Sequence, residues 1–190
     1  MILLIVVVFS FQKYFLYIKR MIAYNICFNI LLSTLSMCGL IRHNPLFYLQ
    51  LLKSSTVFYF FTDAIMEVKL YSRYSYIPHH IISIVSCLSL NENSPYDYVF
   101  VTFFLAESSS LSANIRYVLK TKEKLHIEMD TILYMYFFFC RIIGLPYVIY
   151  NLKNELILYY GGICIYLMSL YWSFKWMKSI TKKRTNRISN

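Results

Sequence analysis

The sequence predicts an all-α, polytopic membrane protein, and three observations support that class. Of its 190 residues, 58% are hydrophobic and only 15% are charged, whereas soluble domains average about a quarter charged. Its mean hydropathy is +0.51. The apolar residues fall into seven runs, and about 20 apolar residues cross a bilayer as a helix, which satisfies the backbone hydrogen bonds in lipid. One water-facing core would not bury this much apolar surface, so we expect a helical bundle in a membrane.

The seven apolar runs set the expected domain organisation. They cover approximately residues 1–18, 21–41, 46–68, 79–90, 97–119, 131–151 and 156–178. The first run has no basic stretch before it and no small-residue cleavage site after it, so we expect residues 1–19 to form a retained N-terminal transmembrane helix. The fourth run has 12 residues and predicts a short helix, or one that extends through residues 71–78. We expect residues 20–180 to form the main domain and 181–190 a basic cytoplasmic tail.

The charge distribution predicts the orientation of the chain. If the connections after runs one, three, five and seven share one side, that side holds 15 Lys and Arg against four Asp and Glu, and the other side holds three against three. The positive-inside rule then places the N-terminus outside and the C-terminus in the cytoplasm. Because the net charge of +10 sits in such connections, it indicates no nucleic-acid partner.

Three charged residues, Asp63, Glu107 and Arg141, are left in the interior of the apolar runs when the other charged residues are assigned to the two sides. A carboxylate at the centre of a spanning helix costs about 2.5–3.5 kcal/mol, and such residues face protein or a cavity. Other polar residues continue their helical stripes, which predicts a shared polar interior. We expect that interior to be lined by Ser83, Ser110, Asn114 and Arg141. Two alternatives stay open: Glu107 and Arg141 form one buried ion pair, and Asp63 forms a hydrogen bond with a tyrosine or serine or lies near the membrane interface.

Two adjacent histidines, His79 and His80, open the fourth run directly after Pro78. An imidazole with its ordinary pKa of about 6.5 can act as a general base or as a nucleophile. Consecutive helical residues diverge by about 100°, so one ring can face a cavity while the other anchors the helix. The alternative is a pair of interfacial histidines that satisfy backbone carbonyls. Because the four histidines and five cysteines lack the spacing of a metal site, we expect no metal and no cofactor.

Several motifs follow one another in an order that resembles the TLC-domain family of membrane proteins, which includes the ceramide synthases. They are Phe58-Tyr-Phe-Phe-Thr-Asp63, Pro78-His79-His80-Ile-Ile-Ser, Leu105-Ala-Glu107-Ser-Ser, Asn114-Ile-Arg116-Tyr, Phe137-Phe-Phe-Cys-Arg141-Ile-Ile-Gly-Leu-Pro146 and Tyr171-Trp172. The resemblance covers residues 20–180 and is closest to the branch outside the ceramide synthases. It implies six helices around a lipid-sized cavity, plus the extra N-terminal helix, for about seven spans.

The same resemblance suggests roles for the ionisable residues. In the synthase branch the two histidines are required, which implies His79 or His80 as nucleophile or base, with Asp63 as an orienting group and Glu107 as the carboxylate of the next helix. That branch has two aspartates on the next helix, where this chain has Glu107 and Ser110. It also has an Arg–Asp-Phe element before the histidines, where this chain has Ser72-Arg73-Tyr74. These departures argue against ceramide synthesis.

Two functions follow as expectations. The first is a multi-pass membrane protein that binds a lipid or fatty acyl chain and influences membrane lipid composition without ceramide synthase activity. The second is a membrane acyltransferase that uses His79, His80, Asp63 and Glu107, with acyl-CoA as the acyl donor. Either would reside in an endoplasmic-reticulum-type internal membrane or in the plasma membrane.

Overall fold

A computed structural model describes residues 21–41, 44–71, 77–122 and 124–188 of the chain. Within these ranges the protein is helical and contains no strand, which confirms the predicted all-α class. The elements in chain order are α1 (Met21–Ile41), α2 (Pro45–Tyr71), α3 (Ile77–Ser89), α4 (Tyr96–Thr121), α5 (Ile127–Phe138), a π-helical segment (Phe139–Gly144), α6 (Leu145–Asn151) and α7 (Leu156–Ile188). The first predicted helix, residues 1–19, lies outside the described residues.

Three described helical stretches are long and apolar enough to cross a membrane: Ala23–Ile41, Ile127–Asn151 and Leu156–Thr185. The helices α2 and α4 have 27 and 26 residues but do not reach the same apolarity. The helix α3 is apolar, yet its 13 residues extend only about 20 Å against a hydrocarbon core of about 30 Å. The structure is thus compatible with a membrane protein, and seven spans with an external N-terminus stay a prediction.

Three of the four prolines of the chain lie at the start of a helix. Pro45 is the first residue of α2, Pro78 is the second residue of α3, and Pro95 directly precedes α4. Proline is tolerated in the first turn because its missing N–H would have no partner there. Pro146 differs, because it lies within the continuous helical stretch Ile127–Asn151, directly after the π-helical segment.

The helices close into a ring when α5, the π-helical segment and α6 are counted as one element. In order around the ring, α1 packs on α2, α2 on α3, α3 on α7, α7 on α5 and α6, α5 on α4, and α4 back on α1. Gly39 allows the close approach of α1 and α4, since a Cβ there would lie 2.4 Å from the ring of Phe100. A buried cluster that includes Leu32, Leu52 and Phe100 fills one part of the interior.

Candidate functional site

The ring surrounds a partly open cavity of about 70 Å³, which is below the usual range of about 300–1,000 Å³ for ligand sites. It lies between α3, α4, α7 and the π-helical segment, with contributions from α2 and from the end of α6. Its lining consists of Phe60, His79, Ser83, Ser86, Cys87, Val99, Thr102, Phe103, Ala106, Glu107, Arg141, Leu152, Leu158, Gly162 and Ile165.

The three ionisable side chains of the lining, His79 on α3, Glu107 on α4 and Arg141, lie near one another in the cavity wall. Eight residues of α4 separate Val99 from Glu107, which corresponds to about 12 Å along the helix. The lining between them is mostly apolar and also carries uncharged polar groups, namely Thr102 on α4 and Ser86 and Cys87 on α3. The cavity therefore offers a mostly apolar space with a small group of ionisable side chains in its wall.

The two adjacent histidines face different surroundings, as their angular separation on α3 predicts. His79 lines the cavity, and its ring meets those of Phe60 and Trp172 edge-on, with centroids 5.5 and 5.7 Å away. His80 is buried and turns towards α2, where its Nε2 lies 3.4 Å from Oδ2 of Asp63. Of the four expected catalytic residues, His79 and Glu107 thus line the cavity, while His80 and Asp63 stand beside it.

Asn29 binds the carboxylate of Glu107, and Asn114 in turn binds Asn29. Nδ2 of Asn29 donates to Oε2 of Glu107 at 2.6 Å, and Nδ2 of Asn114 donates to Oδ1 of Asn29 at 2.8 Å. Asn29 and Glu107 are 1% and 4% exposed. A buried carboxylate needs such donors, because an unpaired one would carry its full desolvation cost.

Arg141 occupies the π-helical segment, one turn before Pro146. Its Nε donates to Oγ of Ser109 at 2.7 Å, and its Nη2 donates to the carbonyl oxygen of Ala106 and to Oγ of Ser110 at 2.7 and 2.8 Å. A proline inside a helix favours a kink, and here a wider helical turn directly precedes the proline. Single π-turns inside α-helices occur often at functional sites.

Glu107 and Arg141 do not form the buried ion pair that the sequence analysis leaves open. No ion pair joins them among the described residues, and each is held by its own neutral partners. Ser110 and Asn114, expected to line the cavity, stand one layer behind it as the partners of Arg141 and Asn29. Ser83 lies in the lining, as expected. The functional role of each residue stays a prediction.

Asn29 is the site residue that the sequence analysis misses. It lies in a run whose polar residues Asn25, Asn29, Ser33 and Ser36 recur at helical spacing, so the same stripe argument applied to the second run would have found it. Its partner Glu107 is 78 positions away, and this pairing depends on the packing of α1 on α4.

A second polar cluster lies at the basic end of the bundle. Asp130 is fully buried and accepts hydrogen bonds from Nε of Arg116 at 2.7 Å, Nε1 of Trp176 at 2.7 Å and Nζ of Lys183 at 2.9 Å. The charge distribution assigns Asp130 and Arg116 to connections between helices, but the structure uses them to join α4, α5 and α7. This cluster holds the bundle together at a distance from the cavity.

No protein-family model, curated protein or solved structure matches this chain. The site is therefore interpreted from its own geometry. It is a mostly apolar cavity inside a helical ring, with an imidazole, a carboxylate and a guanidinium in its wall.

Proposed function

We propose that this protein is an integral membrane protein of the TLC-domain type that binds a lipid in its helical ring and thereby influences membrane lipid composition. The observation that carries the proposal is the mostly apolar cavity inside the helical ring, whose wall includes one imidazole, one carboxylate and one guanidinium. A lipid likewise combines an apolar acyl chain with a polar group. Concave, mostly apolar sites with a few placed polar groups are the usual form of small-molecule sites.

The arrangement favours binding over ceramide synthesis. The resemblance to the synthase branch requires a second carboxylate on the helix after the histidines, where this chain has Ser110, a hydrogen-bond partner of Arg141. Asp63 lies beside His80, and His80 does not line the cavity. The pair of His80 as a base and Asp63 as its orienting carboxylate therefore does not face a lipid bound in the cavity.

A second function, acyl transfer, is favoured by one observation: the ring of His79 lines the cavity. An imidazole nitrogen there would attack the carbonyl carbon of an acyl thioester, forming an N–acyl bond as the C–S bond breaks and the thiolate takes up a proton. The amine or hydroxyl of an acceptor lipid would then attack the same carbon, lose its proton and release the imidazole. Glu107 would accept a hydrogen bond from that acceptor.

The experiment that tests both functions is a lipid profile by mass spectrometry of cells expressing the wild type, His79→Ala/His80→Ala, or His126→Ala at matched levels. His126 is an exposed histidine at the start of α5, so its variant is the matched control. The proposal predicts that wild type changes the level of a lipid class and that both variants reproduce the change. Acyl transfer predicts that the double variant abolishes the change while His126→Ala retains it. An unchanged profile with wild type would contradict both functions.

A further inference from the structure

We propose that the cavity selects an uncharged lipid and binds its acyl carbonyl oxygen, of an ester or amide, through Nη1 of Arg141. This inference rests on the proposed function and adds the chemical class of the ligand. It follows from the hydrogen bonds of Arg141 and from the charges in the cavity wall.

The hydrogen bonds of Arg141 leave one nitrogen for a ligand. A guanidinium has five N–H donors, one on Nε and two on each Nη. The donors of Nε and Nη2 all have partners on α4, namely Ser109, Ser110 and the carbonyl of Ala106. Nη1 has no hydrogen-bond partner among the described residues, although Arg141 is 3% exposed. A buried donor without an acceptor is costly, and a carbonyl oxygen of a bound lipid would satisfy it.

The charges in the wall favour a neutral ligand. Arg141 contributes one positive charge and Glu107 one negative charge, and the other described lining residues carry no fixed charge. A fatty acid carboxylate or a phosphate bound here would leave a net negative charge among apolar side chains, at a large desolvation cost. An ester or amide carbonyl accepts the same hydrogen bonds and leaves the cavity neutral.

The apolar part of the cavity continues from this point. Ala106 lies beside Arg141 through its carbonyl, and Phe103, Val99 and Leu158 extend the lining from there. A lipid carbonyl at Arg141 therefore has a path for its acyl chain along α4. The guanidinium of Arg141 would bind the carbonyl group of the ligand, and the apolar side chains of the wall would contact its acyl chain.

The test compares three probes on the full chain purified in detergent: methyl palmitate, palmitate and hexadecane. They share a long hydrocarbon chain and differ in having a neutral carbonyl, a carboxylate or no acceptor. Bound probe is counted by native mass spectrometry for wild type, Glu107→Gln and Glu92→Gln. Gln at position 107 retains an acceptor for Asn29 while giving the cavity a net positive charge. Glu92 is exposed in the turn before α4, so Glu92→Gln makes the same change outside the cavity.

We expect wild type to bind methyl palmitate at least about tenfold more tightly than palmitate or hexadecane, the size of one hydrogen bond to a charged group. Glu107→Gln should shift the ratio of palmitate to methyl palmitate by about tenfold or more towards palmitate, and Glu92→Gln should leave the ratio unchanged. A ratio that is the same in wild type and Glu107→Gln would overturn this inference and leave lipid binding in place. If wild type binds none of the three probes, the proposed function fails as well.

A second variant tests the guanidinium directly. Arg141→Gln should bind methyl palmitate no more tightly than hexadecane, provided that circular dichroism shows a wild-type helix content. Retention of the ester preference in a folded Arg141→Gln protein would overturn the role of Nη1. If this variant does not fold, the binding ratio of palmitate to methyl palmitate in wild type and Glu107→Gln still tests the inference.

Discussion

The side-chain amide of Asn29 on α1 donates a 2.6 Å hydrogen bond to the carboxylate of Glu107 on α4. This bond joins two helices that are far apart in the chain, and it fixes one wall of the cavity. Because Asn114 in turn donates to Asn29, the carboxylate is held by a short chain of amides. The position of the cavity carboxylate thus depends on a residue outside the cavity lining.

Replacing Asn29 with Leu should destabilise the protein by about 1–3 kcal/mol, because it leaves a buried carboxylate without its donor. Asn25→Leu is the matched control on the same helix, since Oδ1 of Asn25 has no hydrogen-bond partner among the described residues. The measurement is the free energy of unfolding in detergent micelles. Equal destabilisation by the two variants would contradict the role assigned to Asn29.

The polar cluster around Asp130 should contribute more to the free energy of unfolding than the hydrogen bonds around Glu107 do. Asp130→Asn weakens the attraction of one fully buried carboxylate for Arg116 and Lys183, and breaking a buried pair costs about 3 kcal/mol. Asp97→Asn makes the same change at an exposed position in the first turn of α4 and should change the free energy of unfolding by less than about 0.5 kcal/mol. Thermal unfolding of both variants checks this, and an Asp130→Asn protein as stable as wild type would show that the cluster is not a structural tie.

Two glycine substitutions should differ in their effects on stability. A Cβ at Gly39 would lie 2.4 Å from the ring of Phe100, which is fully buried and cannot move aside, so Gly39→Ala should destabilise by about 1–3 kcal/mol. A Cβ at Gly161 would come too close only to the hydroxyl of Ser86, which can rotate away, and would make an ordinary contact of 3.6 Å with Cγ2 of Ile82. There the higher helix propensity of alanine should stabilise by up to about 1 kcal/mol.

The unfolding midpoints of these two alanine variants provide the measurement. Gly39→Ala is expected to melt below wild type, and Gly161→Ala at or above it. The reverse order would mean that α1 and α4 do not pack as closely as described.

The helical class and the helix starts could be predicted from the sequence, because they depend on local features. The long apolar runs indicate helices, and the prolines at 45, 78 and 95 lie where helices begin. The separation of His79 from His80 also follows from helical geometry alone. Their specific neighbours, Trp172 and Asp63, depend on packing between helices.

The rest of the site could not be predicted, because its contacts join distant parts of the chain. Glu107 and Arg141 have opposite charges and suggest an ion pair, yet in the structure each is bound to neutral groups supplied by other turns and helices. Asp130 has the sequence context of a connection, and only the packing of α5 against α7 shows that it is buried. Pairings of this kind depend on the order of the helices around the ring. That order cannot be predicted from the positions of the apolar runs.

If the cavity holds a lipid, a larger side chain in its wall should displace that lipid. Ala106 lines the cavity, so Ala106→Leu would occupy part of the space, whereas Ala23→Leu adds the same side chain at an exposed position on α1. The measurement is the amount of lipid that copurifies with each variant, per mole of protein, by mass spectrometry of extracts. We expect less bound lipid for Ala106→Leu than for wild type and an unchanged amount for Ala23→Leu. Equal amounts in all three proteins would contradict the claim that lipid occupies this cavity.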